Sequence, residues 1–188
     1  MGRWEPNARG RLAEAALELY VERGYEQTTV AEIAKRSGLT ERTFFRHFAD
    51  KREVLFSGSD ALREHLVNAV AGAPESAAPI EAVTAAFEEV GALFQEDRER
   101  VLRRQSVIAA NAELRERELI KLARWSADLA DTLRRRGGAD PAASLAAEVG
   151  VAAFKIAFER WVGGPGEPDL SELIRESFGE LKTVVAGG

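Results

Sequence analysis

The sequence predicts an all-α fold. Apolar residues recur at helical spacing along the chain, no sustained alternating run of Val, Ile and Thr calls for a sheet, and capping residues and glycines mark helix starts and stops. About nine helices are expected. The first runs from about Asn7 to Arg23, with Leu12, Ala16, Leu19 and Tyr20 on one face and Gly24 in the left-handed cap position. Thr29-Val30-Ala31-Glu32 is a capping box, in which hydroxyl and carboxylate satisfy each other's free N–H groups, and it opens a short helix to about Arg36. Ser37-Gly38-Leu39 breaks that helix, and Thr40 caps a third, reaching about Phe48, on which Thr43, Phe44 and His47 share a face. Asp50 to Glu53 repeats the capping pattern. It opens a fourth helix through Val54, Leu55, Leu62, Leu66 and Val70, ending near Gly72-Ala73-Pro74. Further helices are expected near 79–96, 97–109, 112–136, 141–162 and 169–185. Asp140-Pro141 and Asp169 to Glu172 mark two starts, and Gly137-Gly138 and Gly163-Gly164-Pro165-Gly166 mark stops.

Composition narrows the chemistry. The 188 residues allow one large domain or two small ones, and 45% apolar with 30% charged residues is the balance of a chain that buries a core. The absence of cysteine excludes disulfides, thiolate metal sites and a Cys nucleophile, and two histidines leave little for a metal centre. Neither metal nor cofactor is expected. There is no P-loop, no Gly-x-Gly-x-x-Gly after a strand and no His-Glu-x-x-His, so the reading is not that of an enzyme. No stretch approaches about 18 consecutive apolar residues, and Met1-Gly2-Arg3-Trp4-Glu5-Pro6 lacks a signal-peptide apolar region. A cytoplasmic protein is expected.

The net charge of -5 argues at first against nucleic acid. Its distribution reverses the argument: residues 1–52 carry 10 basic and 8 acidic side chains, the remainder 16 and 23. Lys35, Arg36, Arg42, Arg46, Lys51 and Arg52 lie within 18 positions that hold only Glu41 and Asp50 as acids. Two short helices joined by a glycine turn and preceded by a support helix form a helix-turn-helix, whose second helix fits a major groove roughly 12 Å wide. Ile33, Ala34, Leu39 and Phe48 can lock the corner, leaving Arg42, Thr43, Arg46 and His47 for DNA.

At these residues, Thr28-Thr29-Val30-Ala31-Glu32-Ile33-Ala34 and then Gly38 to Lys51, the sequence resembles the tetracycline-repressor (TetR) family of transcriptional regulators. The resemblance implies a DNA-binding domain over 6–66, with its helix-turn-helix at about 29–48, and an effector-binding and dimerisation domain over 67–188. It carries DNA contacts onto Thr29, Arg42, Thr43, Phe45, Arg46, His47 and Lys51, with Arg42 and Arg46 suited to base edges. Phe45 departs from the family's frequent Tyr and lacks its hydroxyl, so packing against sugar or backbone is expected there. The family reading also implies a homodimer through the last two long helices, whose apolar faces include Val149, Ala153, Leu173, Phe178 and Leu181. Two recognition helices about one DNA turn apart, ~34 to 36 Å, would then read a palindromic operator. The fourth helix would couple the two domains.

The segment from Arg103 to Leu119 resembles a subgroup related to the mycofactocin-system regulator, associated with acyl-coenzyme A-like ligands. The implied partners are double-stranded DNA, a second copy of the chain and a small apolar or acyl-type effector. Phe87, Phe94, Ile108, Trp125, Phe154 and Phe158 could line an apolar channel or could be ordinary core, and Arg103 and Arg104 could meet coenzyme A phosphates or form a solvated face. A constitutive DNA-binding regulator without an effector is the alternative.

Overall fold

The computed structural model describes residues 7–164 and 168–186. Pro165 and Gly166 of the expected stop, and Met1 to Pro6, lie outside the described residues. Among the described residues the chain forms nine α-helices, one 3-10 helix and no strand: α1 (Ala8–Arg23), α2 (Val30–Arg36), α3 (Glu41–His47), the 3-10 helix (Glu53–Phe56), α4 (Ser59–Gly72), α5 (Pro79–Glu96), α6 (Arg98–Ala109), α7 (Ala112–Arg135), α8 (Asp140–Gly163) and α9 (Leu170–Ala186). The all-α reading and the helix order hold. Two compact units result, one of residues up to Ser59 with Arg100–Glu118, the other of Asp60–Glu99 with the residues from Leu119 onward. A single cut through the chain does not separate them, because most of α6 and the start of α7 belong with the N-terminal helices.

The expected fourth helix is two elements. The Asp50 carboxylate accepts the backbone N–H groups of Arg52 (2.8 Å) and Glu53 (3.2 Å), as the capping pattern requires, but the turn it opens is the 3-10 helix. Ser57 and Gly58 follow, and α4 begins only at Ser59. Val54, Leu55 and Phe56 are buried in the first unit's core, whereas α4 beyond Ser59 belongs to the second unit. The break falls where the chain passes from one core to the other.

The first unit packs Leu12, Ala16, Leu19, Ile33, Phe44 and Phe48 into one buried cluster. Its helices are tied by directional contacts. Arg36 of α2 meets Glu18 (3.0 Å) and Glu22 (2.9 Å) of α1, and Arg11 donates to the Ser37 carbonyl at the end of α2 (2.5 Å). Arg104 of α6 is desolvated, which pushes its pKa down; its Nε donates to the Leu55 carbonyl (2.7 Å) and its guanidinium lies over the Phe56 ring (5.0 Å). Arg117 pairs with Glu53.

In the second unit α5, α8 and α9 pack closely, and α4 and α7 approach their neighbours less closely. Small residues allow the close packing: a Cβ on Gly91 would meet Ile174 and Ser171, and one on Gly150 would collide with Val83. Ala82, Ala86, Ala143, Ala147 and Ala157 are buried in the same helices. α8 has the length and composition of a membrane-crossing helix. Here it carries Glu148, Lys155, Glu159 and Arg160 among its exposed residues and buries the opposite side on α5 and α9.

Two helix ends depart from the sequence pattern. Ala139, not Asp140, holds the N-cap position of α8, and the Asp140 carboxylate instead receives Arg134. Arg136, just past the end of α7, donates to the carbonyls of Val70 (2.9 Å), Ala73 (2.6 Å) and Pro74 (2.7 Å), closing off the C-terminal end of α4. Asp169 caps α9 as expected, accepting from the Glu172 N–H (3.0 Å).

Candidate nucleic-acid interface and aromatic cluster

The two short helices of the first unit start alike. Thr29 and Thr40 are N-caps with nearly the same extended backbone, φ -104° and ψ 158° against φ -104° and ψ 157°. The Thr29 hydroxyl accepts from the Glu32 N–H (3.3 Å), and the Glu32 carboxylate takes the Thr29 N–H (2.9 Å) and hydroxyl (2.9 Å). Those Thr29 donors hold the Glu32 carboxyl below its ordinary range, the backbone N–H contributing most. Between the helices Gly38 stands at φ +68°, with its N–H on Lys35 O (3.1 Å) and the Leu39 N–H on Ala34 O (2.8 Å). This is a Schellman turn, whose left-handed residue disfavours any side chain with a Cβ. It returns Leu39 to the core and starts α3 at Glu41.

α3 divides its residues by face. Phe44 is fully buried, while Arg42, Phe45 and Arg46 are exposed, Phe45 by 56%. Phe45 stands edge-on to Phe44 at 5.4 Å, which fixes an exposed ring that has no hydroxyl to offer. Thr43 is half-buried and its hydroxyl shares a hydrogen bond with that of Thr40 (3.0 Å). His47 is half-buried beside Phe48, and its Nε2 is buried without a partner among the described residues.

The basic cluster separates into two kinds of cation. Arg36 is paired with Glu18 and Glu22, and Arg52 with Asp50 (2.6 Å). Lys51, expected to meet a phosphate, turns onto the protein: its Nζ donates to the carbonyls of Tyr25 (3.0 Å) and Thr28 (3.3 Å) and lies 4.3 Å from the centre of the Tyr25 ring. The Tyr20 hydroxyl donates to the Lys51 carbonyl (2.7 Å), and burial pushes the Tyr25 phenol up to about 12. This knot fixes the turn that leads into the Thr29 cap. Lys35, Arg42 and Arg46 have no ion-pair or side-chain hydrogen-bond partner among the described residues. Lys35 extends the candidate set; its signal is its place in the last turn of α2, without the Glu18 and Glu22 partners that occupy Arg36.

Five of the six candidate channel residues come together in the second unit. Phe87 stacks on Phe154 at 4.9 Å, Phe154 on Phe158 at 5.9 Å, and Phe94 lies edge-on to both Phe154 (6.2 Å) and Phe158 (5.8 Å). Trp125 reaches Phe154 at 6.1 Å. The sixth, Ile108, is not with them: it is fully buried in the core of the first unit, because α6 packs its apolar face there. Arg103 and Arg104 also lie in the first unit, Arg104 on Leu55 and Glu118 and Arg103 3.8 Å from Glu14, so neither is an open phosphate receptor.

A capped tri-helical corner with open cations on its last helix, joined to a second helical unit, is the architecture of a helix-turn-helix regulator. Residues 12–57 match the family of bacterial regulatory proteins, tetR family, and residues 77–186 match the MftR C-terminal domain. The chain belongs to the tetR family of bacterial regulatory proteins, with an MftR-type C-terminal domain. It is 42% identical over 82 residues to the HTH-type transcriptional regulator TcmR of Streptomyces glaucescens, a match covering 44% of this chain and 36% of TcmR. The chain thus spans about a third of that relative's length. It is 22% identical over 191 residues to MftR of Mycobacterium tuberculosis, named for transcriptional regulation of mycofactocin biosynthesis, covering 100% of this chain and 94% of MftR. The regulator FadR of Bacillus subtilis, solved with stearoyl-CoA, shares the fold at TM-score 0.64 and 22% identity, over 92% of this chain and 96% of FadR.

Proposed function

We propose that the protein is a cytoplasmic, homodimeric repressor that reads a palindromic operator with two copies of α3 and is released by a small apolar or acyl-type ligand. The observation that carries the reading is the division on α3, which buries Phe44 and leaves Arg42 and Arg46 exposed without partners among the described residues. Such arginines suit guanine edges, and we assign Thr29, Thr43, Phe45 and His47 to the flanking DNA backbone. On this reading residues 6–66 serve DNA, and 67–188 serve ligand and partner.

A specific surface supports the dimer. Ala153, Leu173 and Phe178, expected on the interface, are buried within the protomer, and Val149 and Leu181 are half-buried. α8 instead exposes Leu145 (64%) and Ile156 (55%), and with Val149 and exposed Ala152 they form a stripe at helical spacing. A second α8 would cover that stripe. The MftR-type domain and the acyl-CoA bound to FadR support the ligand class.

DNA selected from a random pool by the full chain should show an inverted repeat, and sedimentation should give a dimer that Ile156→Asp converts to a monomer with weakened operator binding. A monomeric wild type, or selected sites without symmetry, would contradict the proposal. Loss of operator binding on adding lauroyl-CoA or another apolar ligand completes the test.

A further inference from the structure

Among the described residues Phe45 is the one aromatic ring that the protein leaves largely in water, and the other exposed residues of α3, Glu41, Arg42 and Arg46, are charged. Exposure of a single apolar side chain is ordinary. The support beneath this one is more telling: Phe44, fully buried, meets it edge-on at 5.4 Å and lies 5.5 Å from Phe48 in the core. Packing below thus holds the exposed ring in place.

Its neighbours on the helix say what it would meet. At about 100° per residue, Arg42 and Arg46 point within about 40° of one another and Phe45 stands about 60° from Arg42, so the three share the exposed face. Side chains three positions apart are separated by about 5–6 Å between Cβ atoms, against a rise of about 3.4 Å per base pair. With the arginines on guanines, the ring therefore falls one or two base pairs away. What it can gain there is limited, because a phenyl group neither donates to a phosphate nor pairs with a base heteroatom. The apolar group that a base pair presents in the major groove is the thymine C5-methyl. That methyl stands close to the backbone of its own strand, so a ring seated on the backbone beside the arginines can cover it.

We infer that Phe45 is a specificity-determining residue, which reads one thymine in each half-site by covering its C5-methyl, one or two base pairs from a guanine met by Arg42 or Arg46. The inference rests on the operator-reading proposal above and adds a base to it.

The test uses the full chain and the inverted repeat it selects from a random pool. Each thymine in turn is replaced by deoxyuridine, which removes the methyl and keeps every hydrogen-bonding group. One position per half-site should respond, with affinity about fourfold lower when one half-site is changed, the worth of one covered methyl, and about fifteenfold lower when both are. In Phe45→Ala the same replacement should leave affinity unchanged. Cytosine placed at that position should bind wild type more tightly once methylated at C5, because the methyl returns without the rest of thymine. Iodouracil there, irradiated, should crosslink to Phe45 of the wild-type chain, located by mass spectrometry, a readout that needs no variant. Uracil tolerated at every position, a uracil penalty that survives Phe45→Ala, indifference to cytosine methylation, or a crosslink at another residue would overturn the inference while leaving the inverted repeat and the operator reading intact. Failure of the full chain to select any DNA would overturn both.

Discussion

The first unit is fixed by directional bonds and the second mainly by shape. In the first, reciprocal caps at Thr29 and Glu32, the Lys51 ammonium on the turn carbonyls and Arg11 on Ser37 hold loops and helix ends in one position. In the second, glycines and alanines bring α5, α8 and α9 together and aromatic rings lie against α7, with polar ties such as Arg136 and Gln95 at helix ends. A reading head needs its recognition helix in one place. If the second unit takes a ligand, as proposed, its packing must re-form around a guest, and non-directional contacts permit this.

Substitutions that strike each unit by its own mechanism sharpen the contrast. Phe44→Ala removes a fully buried ring of the first core and should cost about 3–5 kcal/mol in denaturant unfolding, whereas Gly150→Ala, which overpacks against Val83, should cost about 1–3 kcal/mol in the second unit. Lys51→Met leaves the Tyr25 and Thr28 carbonyls without their cation and should destabilise the first unit by about 1–3 kcal/mol. An unchanged melting temperature together with weaker DNA binding would place Lys51 at a phosphate instead. Arg46→Ala should show the reverse pattern, with stability within about 0.5 kcal/mol, operator affinity lower by about 1–3 kcal/mol and preference relaxed at one base position.

The smallest effect is that of pH. Glu32, held down by the Thr29 donors, and Asp50, held down chiefly by Arg52, both have folded-state pKa values below their ordinary ones. Such groups stabilise the fold above the unfolded carboxylate range of about 4, and that contribution is lost as pH falls through the lowered folded values. Thermal melts should show the first unit weakening over this acid interval, with a shallower slope in Glu32→Gln.

Much of this was legible because the signals are local. Thr29 and Glu32, Gly38 and Asp169 each act within a few residues, so their spacing alone defines the cap or turn. What escaped depends on residues far apart in the chain. Lys51 turns inward because the 25–28 turn offers carbonyls more than twenty positions away, and charge clustering cannot distinguish such a cation from Arg46. Ile108 shares the periodicity of any buried helix, which does not say which of two cores receives it. The α8 residues facing outward likewise emerged only once α5 and α9 had taken the opposite side.

The separation of engaged from open cations bears on how many ions leave the DNA. If only Lys35, Arg42 and Arg46 of each protomer displace condensed counterions, a dimer releases about six, and log affinity should fall against log salt with a slope of roughly -5. Were Arg36, Lys51 and Arg52 also to face phosphates, the count would double and the slope would approach -11. On the proposed reading, the intramolecular partners of those three cations would make operator binding less sensitive to ionic strength than the sequence's basic cluster implies.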